Sequence, residues 1–311
     1  MSRFPQSGRF AGSSLRYHLG ALIAVTAWGA AFISTKILLQ NGLDAVEIYI
    51  YRFFIAYIIT LIVCPKPFWS NSVKHELLFV LCGMCGGSIY FVAENLACSY
   101  TMVSNVSLIV TLTPLITTLI STMLYRNERL GRGVIAGSVV ALLGVACVIF
   151  NSSLVVKIKP IGDLLALLAA ITFAIYTLVL RNLNPFYSTW FISRKTFFYG
   201  VVTALPFLAF EPSLCPLSVL TRPQVLINLG FLSLVASMLA FVLWAQTVKR
   251  LGPIKSGNYL YFSPIVTLVL SSIMLGEHIS WVGYVGCSLI LGGVIMSEKL
   301  SGSPHTPNHQ A

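Results

Sequence analysis

Ten runs of mostly apolar residues, each close to the helix length that a bilayer core demands, constrain this chain before anything else. They cover about residues 19–39, 45–64, 77–99, 104–124, 133–150, 163–181, 189–209, 225–247, 257–275 and 281–297. A hydrocarbon core about 30 Å thick takes roughly 20 residues at 1.5 Å per residue, and within it every backbone N–H and C=O must find a partner inside the protein. Runs of this kind read as spanning helices. Of 311 residues 57% are hydrophobic and 9% charged, where a soluble domain carries about 25% charged residues, and mean hydropathy is +0.85. The first run is too long for a cleaved signal segment, so it reads as a retained span.

The chain then repeats itself. Pro114, Thr117 and Ser121 recur 150 positions later as Pro264, Thr267 and Ser271. After one deleted residue, Glu128, Gly137, Leu142, Gly144 and Val145 recur as Glu277, Gly286, Leu291, Gly293 and Val294. The first pair of spans aligns as well, with Trp28-Gly29 facing Phe173-Ala174 and Lys36 facing Arg181. A half-chain period with an odd number of spans in each half forces the second half to enter the membrane from the opposite side. The expected fold is an all-α integral membrane protein of ten transmembrane helices arranged as two inverted five-helix repeats. The expected units are a tail at 1–18, repeats at 19–150 and 163–297 joined by an outer linker at 151–162, and a second tail at 298–311.

The net charge of +11 is spread between apolar runs instead of being gathered in one patch, which argues against a nucleic-acid partner. Thirteen Lys and Arg fall on the side of the N-terminus, and four (Lys36, Lys157, Lys159 and Arg222) on the other. That asymmetry predicts both termini in the cytoplasm. Arg52, Arg194 and Lys195 complete the twenty and lie near or within span ends.

Residues from about 19 to 297 resemble the drug/metabolite transporter superfamily, specifically its EamA-type members with ten helices. The residues that carry the resemblance are Trp28-Gly29, the run from Ser107 to Pro114, Glu128 with Gly137 and Gly144, then Gly257 to Pro264, Glu277, Gly286 and Gly293. Phe173 stands where the first half has Trp28, a departure from a symmetric Trp pair. The resemblance implies a secondary transporter of the bacterial inner membrane that exports amino acids or related small metabolites through a cavity between the repeats. Uptake of a solute, export of hydrophobic toxicants, and a non-transporting scaffold or receptor are the alternatives. Its partners would be a small-molecule substrate and membrane lipid, with proton coupling and the oligomeric state left open.

Several residues stand out on that background. Pro114 and Pro264 fall midway along spans, where each frees the carbonyl four residues back, Val110 and Leu260, and kinks its helix as a static bend or a moving hinge. Thr111, Thr113 and Ser263 stand near enough to take those carbonyls. Glu128 and Glu277 precede helix N-termini, where a carboxylate meets the positive end of the dipole, a structural role. Glu94 is the one acid well inside a span, roughly 9 Å below its outer end. Intramembrane carboxylates are costly and default to a functional reading. Arg52 lies at matching depth on the second span, so a structural Arg52–Glu94 ion pair, contact with a substrate amine, and proton coupling all stay open. Trp28, Tyr90, Tyr176 and Tyr261 are candidates for a cavity wall, because a buried indole or phenol seeks a polar partner. Trp190 and Trp244 read as members of an interfacial belt.

Enzyme chemistry finds little purchase. His18, His75, His278, His305 and His309 all lie at span ends or in tails, and there is no His-Glu-x-x-His and no phosphate-binding Gly-x-x-x-x-Gly-Lys-Ser/Thr. Cys82 and Cys85 have metal-like spacing, but with Gly83, Gly86 and Gly87 they read as small residues in a helix contact. No cofactor or metal is expected.

Overall fold

Every regular element among the described residues is helical, as an apolar chain without water for its backbone requires. The computed structural model describes residues 14–65, 68–124, 132–153, 160–208, 215–276 and 281–300. Glu128 and Glu277 lie outside the described residues. In chain order the helices are α1 (Ser14–Gln40), α2 (Ala45–Val63), α3 (Val73–Tyr100), α4 (Val103–Val110), α5 (Thr113–Leu124), α6 (Arg132–Ser153) and α7 (Pro160–Leu183). Then follow α8 (Thr189–Leu208), α9 (Leu217–Leu220), α10 (Pro223–Leu251), α11 (Pro253–Gly257), α12 (Ser263–Leu275) and α13 (Trp281–Leu300). Among the described residues, seven stretches are long and apolar enough to cross a membrane: Leu15–Gln40, Ala45–Val63, Val73–Tyr100, Val103–Leu124, Ile161–Leu183, Pro223–Leu251 and Pro253–Leu275.

The two halves of the chain pack across one another. Helix α1 lies against α10 and α12, and α7 lies against α3 and α5; α2 meets α8 and α10, while α8 also meets α3. Helices α6 and α13 form the most extensive pair. Small residues permit these approaches. A Cβ on Gly293 would stand 2.5 Å from the Gly137 carbonyl oxygen, and one on Gly29 would stand 2.7 Å from that of Ser263.

Two helices widen at matching places. Met84–Ser88 in α3 and Phe231–Leu239 in α10 are π-helical, a geometry that loosens the i→i−4 ladder and recurs at functional positions. The ring of Tyr176 lies over Gly86, where a Cβ would come within 2.5 Å of it, and the Trp28 indole N–H donates to the Ala236 carbonyl at 2.8 Å. Hydroxyls elsewhere are absorbed by their own helices: Thr118 donates to the Pro114 carbonyl at 2.8 Å and Thr177 to that of Phe173 at 2.9 Å.

The three cations left over by the topology count are buried, each at 1% exposure or less. Arg194 donates to the Cys64 carbonyl at 2.6 Å. Lys195 pairs with Glu76, with its ammonium 3.9 Å from the centre of the Phe68 ring, and Tyr199 donates to the same carboxylate. This closed cluster ties α3 and the turn before it to α8.

The tight α6–α13 contact yields a paired test. Gly293→Val is expected to cost about 1–3 kcal/mol by overpacking, read as a lower thermal unfolding midpoint in detergent. Gly292→Val, where no atom lies within 4 Å of a new Cβ, leaves the midpoint unchanged.

Candidate functional site

A mid-span proline removes one N–H and crowds the carbonyl of the preceding turn. Both duplicated prolines do more than kink their helices here. The span through Pro114 breaks into α4 and α5 with a turn at 111–112, and Pro264 sits in the first turn of α12 behind a short 3-10 segment, Asn258–Phe262. The Thr113 hydroxyl takes the freed Val110 carbonyl at 2.7 Å and also reaches the Ala170 carbonyl of α7 at 3.3 Å. The breaks meet across the molecule: the Ser107 and Thr267 hydroxyls lie 3.0 Å apart, and Thr267 donates to the Gly29 carbonyl at 3.0 Å.

Both breaks open onto one void of about 20 Å³, lined by Ser107, Val110 and Thr111 on one side, Leu260 and Ser263 on the other, and by Trp28, Phe32, Tyr90 and Phe173. A second void of about 10 Å³ shares Trp28, Phe32, Tyr90 and Phe173 and adds Ala31, Arg52, Phe91 and Glu94. Each has the volume of about one water molecule. Helix α1 supplies Trp28, Ala31 and Phe32 from one face, and α3 supplies Tyr90, Phe91 and Glu94 at spacings that bring them together. A roomier cavity lies at one end of the helices, remote from these carboxylate and guanidinium groups.

Glu94 and Arg52 face the same void without closing on each other. The Glu94 carboxylate accepts the Tyr90 hydroxyl at 2.7 Å. Arg52 donates through Nε to the Ser237 hydroxyl of α10 at 2.8 Å and lays its guanidinium 4.2 Å from the centre of the Phe91 ring. Its Nη2 meets no protein acceptor among the described residues, and the two charges make no ion pair within 4.0 Å. An aromatic shell encloses them: the Trp28 ring lies edge-on to Phe173 at 5.4 Å and to Trp244 at 5.3 Å.

Of the residues singled out in the sequence, Trp28, Tyr90, Arg52 and Glu94 therefore come together. Tyr176 lies behind the wall, packed 5.4 Å from Phe173 with its hydroxyl buried. Tyr261 is buried near Ser138 of α6 and lines neither void. Trp244, expected in an interfacial belt, is fully buried against Trp28 because α10 packs along α1. Phe32, Phe91 and Phe173 were missed as wall residues; Phe32 lies one helical turn from Trp28, and that spacing was the available signal.

A family model described as the EamA-like transporter family matches residues 15–150 and 160–298. The chain is 23% identical over 304 residues to "Uncharacterized transporter YetK" of Bacillus subtilis (strain 168), covering 94% of this chain and 91% of that one. It is 25% identical over 279 residues to a "Probable terminal-alkyne amino-acid exporter" of Streptantibioticus cattleyicolor, covering 89% and 92%. A solved crystal structure 19% identical superposes with a TM-score of 0.72 over 94% of this chain and 100% of its own, a likeness of fold.

Removing the phenol that holds the carboxylate has a definite expected cost. Tyr90→Phe should lower stability by about 1.5–3 kcal/mol, the range for a hydrogen bond to a charged group, in thermal unfolding of the purified protein. Thr113→Val, which strands the Val110 carbonyl, is expected to cost about 1–3 kcal/mol, and Thr113→Ser restores most of it.

Proposed function

Because this chain belongs to the EamA-like transporter family, we propose that it exports amino acids or related small zwitterionic metabolites by alternating access about the Glu94–Arg52 void. The carrying observation is one carboxylate and one guanidinium in a shared aromatic-walled void, held apart by separate partners. A substrate ammonium would meet Glu94 and the faces of the surrounding rings, and a substrate carboxylate would meet Arg52 Nη2, which has no protein acceptor among the described residues. Two opposite poles on one void suit a zwitterion better than a neutral solute. The voids are too small for such a substrate, so the bound state requires the walls to part. The breaks at Pro114 and Pro264, which line one void together, are where the backbone yields most readily. The relative named "Probable terminal-alkyne amino-acid exporter" points the same way.

Ten spanning helices in two inverted repeats complete this reading. Exchanging the halves leaves the pattern of helix contacts unchanged: α1 on α10 and α12 becomes α7 on α3 and α5, while α2–α8 and α6–α13 map onto themselves. With five spans per half, the pseudo-two-fold axis of this reading would lie in the membrane plane. The basic asymmetry supports an orientation with both termini on the cytoplasmic side of an inner membrane. Labelling in a background otherwise cleared of Cys is expected to find Cys215 reachable only from outside and a cysteine at Arg126 only from inside; the reverse pattern overturns this orientation.

Transport is tested in proteoliposomes with a panel of labelled amino acids and one hydrophobic cation, with and without a proton gradient. Movement of a subset of the amino acids is expected, reduced about tenfold or more in Glu94→Gln, the loss of one charge-assisted contact. Arg52→Gln should weaken binding of the zwitterion while sparing an amine that lacks the carboxylate. Substrate exchange that survives Glu94→Gln but no longer responds to the gradient would reassign Glu94 to proton coupling. Movement of the hydrophobic cation alone would favour toxicant export, a reading that the aromatic walls also support.

A further inference from the structure

Away from the Glu94 void, the first turn of α1, the start of α8 and the C-terminal turns of α10 line an open concavity of about 500 Å³, within the size range of small-molecule sites. We infer that this cavity binds the phosphate-bearing headgroup of an anionic membrane lipid. Three cations line it, Arg16, Lys249 and Arg250, and the described residues that line it include no carboxylate. The cations meet neutral partners: Arg16 donates to the Tyr17 hydroxyl at 3.0 Å and Lys249 to the Tyr187 carbonyl at 3.3 Å. The guanidinium carbons of Arg16 and Arg250 stand 4.9 and 5.6 Å from the centre of the same Tyr17 ring. Like charges gathered around one concavity repel, and an anion within it relieves that repulsion.

The remaining lining suits an oxyanion. Ser188, whose hydroxyl accepts the Phe191 N–H at 3.3 Å, keeps its own proton to donate, and Thr189 adds a second hydroxyl at the positive end of the α8 dipole. A tetrahedral phosphate, with several acceptor oxygens, uses such a mixture of point charges and hydroxyls well. The lipid source follows from what adjoins the cavity. On α1, Leu15 and Leu19 flank Arg16 and are 66% and 49% exposed, which continues the basic concavity into an apolar strip where acyl chains would lie. Helix ends of spanning segments stand at headgroup level, where basic pockets between helices recognise acidic lipids.

The test uses the full-length protein, delipidated in neutral detergent and titrated with phosphatidylglycerol, with phosphatidylcholine and, separately, with inorganic phosphate. Bound lipid is counted by native mass spectrometry and the unfolding midpoint followed in parallel. Phosphatidylglycerol is expected to bind about tenfold or more tightly than phosphatidylcholine, with the preference shrinking as salt rises. The triple variant Arg16→Gln, Lys249→Gln, Arg250→Gln should lose the preference while retaining phosphatidylcholine as before. Equal binding of the two lipids by the unaltered protein overturns the inference whether or not the variant folds. Saturation by inorganic phosphate without a preference for phosphatidylglycerol overturns the lipid source in favour of a soluble anion.

Discussion

A carbonyl released from a helical ladder inside a bilayer has no water to turn to, and each one left bare costs several kcal/mol. This constraint accounts for where the chain can afford irregular backbone. The Val110 carbonyl, freed ahead of Pro114, is covered by Thr113, and the Ala236 carbonyl in the widened part of α10 is covered by the Trp28 indole. The second break, at Leu260–Ser263, faces the first across a void with polar lining from Ser107, Thr111 and Ser263. Where irregular backbone releases a carbonyl, a side chain from a neighbouring turn or helix stands ready to take it.

Charge is handled in two contrasting ways. Glu76, Lys195 and Tyr199 close on one another, with rings packed around the ammonium, a saturated arrangement that fastens α3 to α8. Glu94 and Arg52 are each anchored by a neutral hydroxyl, from Tyr90 and Ser237, and keep their charges facing a common space. Breaking a closed buried pair leaves a charge stranded and costs several kcal/mol, which suits a fastener. An open pair leaves charge available to a third party, which suits a site.

Much of this was legible in the sequence, and the reasons for the rest are physical. Long apolar runs declare helices because the bilayer leaves few other solutions, and Tyr90 and Glu94 share a face by spacing alone. Pro114 and Pro264 predict kinks, whereas each span is interrupted, since a proline states that one hydrogen bond is lost but not how far the ladder unravels. The π-helical segments were not foreseen, because Met84–Ser88 and Phe231–Leu239 carry no residue that demands them. Tyr176 and Tyr261 are cavity candidates for their polar tips, yet the aromatic part of the walls is Trp28, Phe32, Tyr90, Phe91 and Phe173. Which face of a buried helix meets a void depends on the rotation of its neighbours, and all faces of such a helix are apolar. Trp244 shows the same limit, having been read from its distance to a span end and not from the α1 surface that covers it.

The seat of Pro114 shows how duplication can lock two halves of a gene together. Its ring lies against Gly257, where an added Cβ would stand 3.1 Å from the proline Cβ. The counterpart of Gly257 in the first half is Ser107, which instead shares a hydrogen bond with Thr267. The two positions have different duties, one yielding space and the other supplying a hydroxyl. Neither half is then interchangeable with the other, and a hybrid built from two copies of one half would inherit a collision or a missing hydrogen bond at the seam. A larger side chain at 257 would press on Pro114 in the other half, so the two halves constrain each other at this contact.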